Sequence, residues 1–577
     1  MSRRTGLDRL IDWLPGIRLL LHYDRTCLPQ DLTASLVVTL VLIPSAIAYA
    51  DLAKCPPISG LYAALGGMIA FALLTSSRHV IVGPDAAIAI MVGAALGPLA
   101  DGDPGKAVAL SAWLALLAAG ILLLAAWLRL GAAADFLSSP VMLGFMNGAA
   151  VVIIVSQLGK LCNIPLKEDN TLLRLYELVR RFPETHWQTL GIGLAAIGIL
   201  AAIRLWYVRM PGTIVIFALA LIAGRCFDFA ASGMQVIGAI DTRIPVPVPP
   251  DLSFAEVPRL FTAALGLAFL IFPEGILLGR AMADRHDYDI DPDRELVALG
   301  AANLASGLFR SFAVGSSQSR TLLNSATGGR TQMVSFAAAA LLIAFLYFLA
   351  SWIATLPTVV IAAILIFTGF TLIEVREYRK LKSLHPFSAL VSLTTSAAVI
   401  VLGVLPGILL GILLSLLNLL RQIARPQDAL LGRVPGSPTL HDIGDDEAAQ
   451  TVPGLVVYRF YGPLVFANIR FFVERLEHFL SHEDVPVRQV ILDARAIPEI
   501  DVTAAEQLRV YVARLRERGI TFVVAKAHLP LRQAAVALGV QEWFSEQVHF
   551  AQLPDAVKAF EEDRSGGGGA PQVSRAR

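Results

Sequence analysis

The sequence predicts a polytopic α-helical membrane protein of about fourteen spans in two inverted seven-span repeats, followed by a C-terminal cytoplasmic α/β domain. Three observations predict it. Apolar residues make up 55% of the 577 residues and charged residues only 16%, against roughly 25% charged in soluble domains. The shortfall is uneven, with about 13% charged up to Arg425 and about 24% beyond. The apolar stretches also fall into two equal groups. A fully soluble enzyme and a receptor with one membrane crossing are both excluded.

Residues 1–30 read as a cytoplasmic lead-in rather than a cleaved signal. Arg3, Arg4, Arg9, Arg18 and Arg25 alternate there with Asp8, Asp12 and Asp24, leaving no apolar core. The balance of 47 basic to 46 acidic residues gives a net charge of +1 and no footprint for nucleic acid. Cys27, Cys55, Cys162 and Cys226 have neither disulfide-framework nor zinc-ligand spacing, so no metal or other cofactor is expected. The preference for Arg over Lys points to a GC-rich bacterial genome, hence to the bacterial inner (plasma) membrane.

Residues 31–425 read as the membrane domain, with repeats near 31–225 and 257–425. Candidate spans lie near 32–52, 57–75, 80–100, 107–128, 135–158, 187–207 and 211–225. The second set lies near 257–281, 294–310, 314–326, 331–353, 355–374, 386–404 and 406–424. Stretches 211–225 and 314–326 are too short to cross unbroken. Arg78, Arg129, Arg204, Arg209, Arg285, Arg294, Arg376, Arg379, Lys380 and Lys382 fall in short loops on the side of the N-terminus. The opposite short loops hold little beyond Lys54, Lys106 and Arg310. Both termini are therefore expected in the cytoplasm. An odd number of spans per half inverts the second half, the plan of secondary transporters.

An internal echo supports the repeat. Leu42-Ile43-Pro44-Ser45 in the first half matches Ile271-Phe272-Pro273-Glu274 in the second. Some 40 residues after each proline, small residues open a helix: Gly83-Pro84-Asp85-Ala86-Ala87 and Gly315-Ser316-Ser317-Gln318-Ser319-Arg320. Two interrupted segments at matching places point to a midplane binding site. A helix beginning inside the membrane offers unpaired N–H groups and a positive dipole end, so two facing ends make an anion site.

Arg320 adds a full positive charge to the second broken helix, or else forms a structural ion pair. Ser316, Ser317, Ser319 and Thr321 offer hydroxyls to a ligand or serve as caps. Glu274, alone in an apolar stretch, is the leading proton-coupling candidate, because a carboxyl group taken out of water exchanges a proton more readily near neutral pH. Asp85 is either an ordinary N-cap or a ligand-facing acid, and the second role argues for proton symport. Ser45 and Tyr49, four apart on one helix face, could line the same pocket.

These residues resemble the SulP anion transporters, a family of sulfate permeases, bicarbonate and dicarboxylate carriers, and animal anion exchangers. The resemblance rests on Pro44-x4-Tyr49-Ala50, Pro57-x-Ser59-Gly60-Leu61-Tyr62-Ala63-Ala64, Gly83-Pro84, Ser319-Arg320-Thr321 and Gly328-Gly329-Arg330-Thr331-Gln332. It implies fourteen spans divided into core and gate, an elevator-like movement of the core, and a homodimer. It places the anion between the N-termini of spans 3 and 10, beside Ser45, Tyr49, Asp85, Ala86, Ala87, Glu274, Ser317, Ser319 and Arg320. Asp85 stands where many members carry an uncharged residue, which argues against simple chloride or bicarbonate exchange. After Glu274, span 8 offers no oxygen cage for sodium.

Residues 426–451 read as a linker. Beyond it, 452–561 alternate strand-like runs (455–458, 489–493, 521–524) with amphipathic runs near 467–480, 503–518 and 530–538, the pattern of a small α/β domain. This resembles the STAS domain that ends SulP transporters, which implies a regulatory role and a possible protein partner. Thr503 is either the start of a Thr503-x-x-Glu506 capping box or a phosphorylated regulatory residue. The glycine-rich tail, 562–577, is expected to be disordered.

Two functions are in view. The first is a proton-coupled symporter of sulfate or a small dicarboxylate, with bicarbonate or chloride transport as a variant. The second is a membrane-anchored signalling protein working through its soluble domain. Intramembrane Glu274 and Arg320 favour the first, since an inert anchor has no reason to bear their desolvation. A carrier of uracil type would share the architecture but lack the soluble domain, and Arg320 suits an anion better. No phosphate loop, metal cluster or nucleophile constellation supports an enzyme.

Overall fold

A computed structural model describes residues 14–100, 103–131, 138–166, 168, 170–206, 212–238, 247, 257–435, 439–483, 485–540 and 549–565. The chain divides into two compact units, residues 1–415 and 416–577.

Fourteen helices stand where spans were expected. In the first half they are α1 (Leu28–Leu52), α2 (Pro57–Leu74), α3 (Ala86–Ala100), α4 (Pro104–Trp127), α5 (Ser139–Cys162), α6 (Trp187–Trp206) and α7 (Gly212–Cys226). The second half repeats the series as α8 (Val257–His286), α9 (Pro292–Leu308), α10 (Gln318–Ala326), α11 (Met333–Phe348), α12 (Thr358–Leu372), α13 (Pro386–Leu402) and α14 (Val404–Ala424). Among the described residues eight helical stretches are long and apolar enough to cross a membrane by themselves, one of them only when α12 is counted through to Leu384. The shorter ones include α3 and α7, and α10 has only nine residues. Pro44 lies inside α1 and Pro273 inside α8, where each removes one helix hydrogen bond.

Packing sorts these helices into two bundles. α9 packs on α2 and α4, α8 on α4, and α11 on α1 and α2. Separately, α13 and α12 pack on α5, and α12 on α6. Close packing is secured by glycine. A Cβ on Gly60 would meet the Ala46 carbonyl oxygen at 1.9 Å, and one on Gly144 the Ser392 carbonyl oxygen at 2.3 Å. Such small-residue contacts let membrane helices approach backbone to backbone.

Two buried carboxylates pin the ends of the first bundle's helices. Asp31 accepts from Tyr23 Oη (2.8 Å), Arg330 N (2.7 Å) and Thr331 Oγ1 (2.6 Å). Glu295 accepts from Thr75 Oγ1, Ser76 N and Ser76 Oγ at 2.7–2.8 Å. Neither residue stood out in the sequence, where both sit near span ends among other charges.

The second unit holds a six-stranded sheet of order β4-β3-β5-β6-β7-β8. Its strands are β3 (Asp428–Arg433), β4 (Leu440–Asp442), β5 (Leu455–Phe460), β6 (Gln489–Asp493), β7 (Thr521–Ala525) and β8 (His549–Phe550). β5 to β8 run parallel, while β3 pairs antiparallel with both β4 and β5. Both faces are covered, which explains the apolar run Leu455–Tyr458 in β5. Val456, Tyr458 and Phe460 pack with α15 (Ile469–Ser481), α16 (Val502–Glu517) and α17 (Leu529–Ala537), whereas Leu455 and Val457 pack with α18 (Leu553–Ser565).

Two boundaries are corrected. The stretch expected as a linker supplies β3 and β4, because Ala429 and Leu431 alternate onto the buried face beneath α18. The expected tail begins as helix, since α18 continues to Ser565; residues 566–577 lie outside the described residues. Two further helices, Thr171–Arg181 and Val375–Leu384, occupy stretches read from the sequence as loop.

Candidate functional site

The two chain breaks meet. Val82–Gly83 (β1) and Gly315–Ser316 (β2) form an antiparallel ladder, Val82 opposite Ser316 and Gly83 opposite Gly315. Ser317 N extends it by donating to Ile81 O at 2.9 Å. The glycines are required by proximity: a Cβ on Gly315 would lie 2.3 Å from Ile88 Cδ1, and one on Gly83 3.3 Å from Arg320 Nη2. The ladder therefore sets the first turns of α3 and α10 side by side, each with helix N–H groups left over.

Asp85 caps α3: its Oδ1 accepts from Ala87 N at 3.0 Å. Its carboxylate also faces the N–H groups of Ala86 and Ile88. Ser317 occupies the cap position of α10, yet its hydroxyl makes no capping bond. It lies 3.4 Å from the hydroxyl of Ser319, which is exposed.

Arg320 is only 2% exposed. Its Nη2 donates to Pro84 O at 2.7 Å, while its Nε has no partner. The neighbouring Thr321 Oγ1 accepts from Ile81 N at 3.0 Å. Tyr49 and Asp85 both stand within electrostatic reach of Arg320. Ala86 and Ala87 are buried at the start of α3. Ser45 is turned to its own helix, donating to Val41 O (2.9 Å) and Leu42 O (3.0 Å).

Glu274 follows the proline of α8. Gly275 behind it packs so closely that a Cβ there would meet Leu299 Cδ1 at 2.6 Å and Ser316 Oγ at 3.1 Å, which holds α8 against β2. Glu274 Oε2 is buried without a hydrogen-bond partner, and Asp85 lies within its electrostatic reach. Glu274 lines a cavity of about 490 Å³ with Gln318, Ser139, Met142, Leu278 and Lys380. The cavity thus reaches the first residue of α10 from the side where α5 begins. The structure brings Tyr49, Asp85, Glu274 and Arg320 together; it does not turn the Ser45 hydroxyl toward them.

Sequence reasoning missed the amides that hold the breaks in place. Asn303 Nδ2 donates to Leu299 O and Val314 O, and its Oδ1 accepts from Val314 N, all at 2.9 Å. Gln332 Nε2 donates to Ser77 O (3.0 Å) and Val80 O (2.9 Å), and Asn324 Nδ2 to His79 O (2.9 Å). Their signal was available, since an amide in an apolar span needs partners. Across the bundles, Lys160 of α5 pairs with Asp51 of α1.

In the soluble unit Thr503 is exposed and is not the cap of α16. Asp501 is, accepting from Ala504 N at 2.7 Å through Oδ1 and from Phe466 N at 2.8 Å through Oδ2. Asp has a shorter, charged acceptor and precedes the first helical residue, so it takes the role expected of Thr503. Glu506, the expected partner in a capping box, instead accepts from Arg509 at 2.6 Å. Among the described residues no group of three or more His, Cys, Asp and Glu side chains could hold a metal ion.

Comparison with known proteins places these features in context. Residues 28–395 match the sulfate permease family and residues 448–556 the STAS domain. A probable sulfate transporter of Mycobacterium tuberculosis is 36% identical over 548 residues, covering 95% of this chain and 98% of that protein. The chloroplastic sulfate transporter 4.1 of Arabidopsis thaliana is 26% identical, over 94% and 83%. Among solved structures, the murine solute carrier 26 family member A9 anion transporter, in its inward-facing state, superposes with a TM-score of 0.86 at 21% identity, over 97% and 95%. The transmembrane domain of a cyanobacterial bicarbonate transporter gives 0.59 at 22% identity, over 68% and 98%.

Proposed function

Since the chain belongs to the sulfate permease family, and is a multi-pass anion transporter rather than an enzyme, we propose that it carries sulfate together with protons. Small dicarboxylates are the next candidates. The observation that carries this reading is the β1–β2 ladder, which sets two helix N-termini beside the buried Arg320 with unpartnered Glu274 next to them.

The charges explain the coupling. Arg320 contributes +1, and each helix end about +0.5; Asp85 and Glu274 each contribute −1 when ionised. With both acids ionised the site suits a dianion poorly. A proton on Glu274 removes one negative charge, so that the uncapped start of α10 holds sulfate through its N–H groups and the hydroxyls of Ser317 and Ser319, beside the Asp85-capped end of α3. Release of the proton on the far side repels the anion outward. The bundle containing α3, α8 and α10 would carry the site across by an elevator-like movement against the bundle containing α5, α12 and α13.

The relatives' names support sulfate, and Asp85 weighs against simple chloride or bicarbonate exchange. In this reading both termini face the cytoplasm of a bacterial inner membrane, the protein is a homodimer, and the STAS domain governs regulation through a protein partner or phosphorylation of exposed Thr503. The test is uptake of labelled sulfate, fumarate and bicarbonate into proteoliposomes with and without an inward proton gradient. Sulfate uptake that ignores the gradient would overturn the symport; bicarbonate uptake exceeding sulfate would overturn the cargo.

A further inference from the structure

The ten-residue helix Val375–Leu384 plays no part in the charge scheme above. Two residues separate it from α12 and one from α13, so the chain confines it to the bilayer surface where those spans emerge. Glu374 N, just before it, is anchored by Asn147 Oδ1 of α5 at 2.8 Å.

Its charges are sorted by face. At 3.6 residues per turn, Arg376, Arg379, Lys380 and Lys382 share an arc of roughly 160°. Tyr378, Leu381 and Leu384 take the opposite arc. All four cations are exposed, and none has a hydrogen bond or ion pair among the described residues. The other arc is occupied: Glu377, Leu381 and Leu384, with Glu374 just before the helix and Lys380 at the edge of the basic arc, wall the cavity that Glu274 lines. Arg376, Arg379 and Lys382 stand apart from that wall.

We propose that Arg376, Arg379 and Lys382 form a docking surface for anionic phospholipid headgroups, and that the docked lipid holds this helix at the rim of the cavity. The helix is already at headgroup depth, its free cations match the phosphate charge, and guanidinium groups hold phosphate oxygens in paired hydrogen bonds. Basic clusters next to a membrane span bind acidic lipids on these grounds. Because the opposite face walls the cavity, lipid occupancy sets the turnover rate rather than anion affinity.

The test uses full-length protein in phosphatidylcholine vesicles with increasing phosphatidylglycerol. Wild type should take up the anion roughly threefold faster with phosphatidylglycerol than without it, and the gain should fade at high salt as screening shortens. A general surface potential would do the opposite, since a negative membrane repels the substrate. The R376Q/R379Q/K382Q protein should match wild type in pure phosphatidylcholine and gain nothing from phosphatidylglycerol. Native mass spectrometry of the purified chain should show fewer retained phosphatidylglycerol molecules on it, a readout independent of transport. Wild type indifferent to phosphatidylglycerol, or a variant that retains and responds to it equally, overturns the proposal. So does a variant whose KM rises in pure phosphatidylcholine with strong salt dependence, which would assign these cations to gathering the transported anion.

Discussion

Arg320 Nη2 lies 2.7 Å from the carbonyl oxygen of Pro84, so the cation of one broken helix is tied to the break that opens the other. The bond has two consequences. It fixes the guanidinium between the two helix ends, and it satisfies a buried carbonyl that the break leaves open. Removing a charged partner from a buried acceptor costs about 1.5–3 kcal/mol. Arg320→Ala should therefore lose saturable anion uptake and lower the thermal unfolding midpoint together. Arg320→Lys keeps the charge but not the planar fork, and should retain uptake with KM raised at least about tenfold. An alanine protein of unchanged KM would remove Arg320 from the site.

Glu274 differs from Arg320 in having no polar partner at Oε2, so its replacement leaves no orphan. Glu274→Gln should fold as wild type, bind the anion in a proton-independent way, and lose acceleration by an inward proton gradient. Counterflow of labelled anion across vesicles without a gradient should persist. Full gradient-driven uptake in this protein would exclude Glu274 as the coupling residue.

How far the site was legible follows from the physics of each residue. Glu274 and Arg320 announce themselves because a charge inside an apolar stretch violates the composition around it. The Gly-Pro and Gly-Ser-Ser breaks are legible through their departure from helical pattern. The ladder joining them is not, since two-residue strands separated by more than 200 residues carry no periodicity to read. The amides of Asn303, Asn324 and Gln332 were open to the same reasoning as the charges, but a neutral amide violates its surroundings less. β3 is hidden by Gly and Pro nearby, and the Asp501 cap is hidden because a lone cap residue has no spacing to read, whereas Thr503-x-x-Glu506 has one.

Asp51 and Lys160 join the two bundles at the end of α5 opposite the Glu274 cavity. They border a second cavity of about 720 Å³ with Cys55, Asp103 and Gln157. If one bundle moves against the other, this pair must separate. Asp51→Asn and Lys160→Met should each favour the state open on this side, so that Cys55 reacts several-fold faster with a charged thiol reagent than in wild type. The double exchange Asp51→Lys, Lys160→Asp should restore slow labelling. Equal labelling rates in all four proteins would show that the pair does not hold the bundles together.

His79, in the connection from α2 to β1, carries a pH signature. Its ring stacks on His286 at 3.9 Å, and its Nδ1 lies 3.4 Å from Tyr288 Oη. Burial, then the neighbouring His286 and Arg78, push its pKa down to about 4, with Asp31 opposing. The unfolded chain, near pH 6.5, thus binds more protons than the folded one between pH 6.5 and 4. Stability present above pH 6.5 should fall as the pH drops through this window and level off below it. The loss is on the order of 2 kcal/mol after allowance for screening. Unfolding midpoints of the solubilised protein measured from pH 8 to 4 should show this slope in wild type and a shallower one in His79→Phe, which keeps the ring face but cannot be protonated. Parallel profiles would remove His79 as the cause.

In the soluble unit, Asp501 and Thr503 separate a structural role from a regulatory one. Asp501 supplies acceptors to Ala504 N and Phe466 N, joining α16 to the loop before α15, whereas Thr503 is exposed on the first turn. Asp501→Ala should cost about 1–2 kcal/mol, seen as faster hydrogen exchange at the start of α16 and around Phe466 in the full chain. Thr503→Ala should change exchange there by less than about 0.5 kcal/mol. A phosphate on Thr503 would benefit from the positive helix end but meet the carboxylates of Asp501 and Glu506, so it should loosen this cap rather than strengthen it. If Thr503→Ala loosened α16 as much as Asp501→Ala does, the hydroxyl would be the cap after all, and exposed Thr503 would have no separate regulatory use.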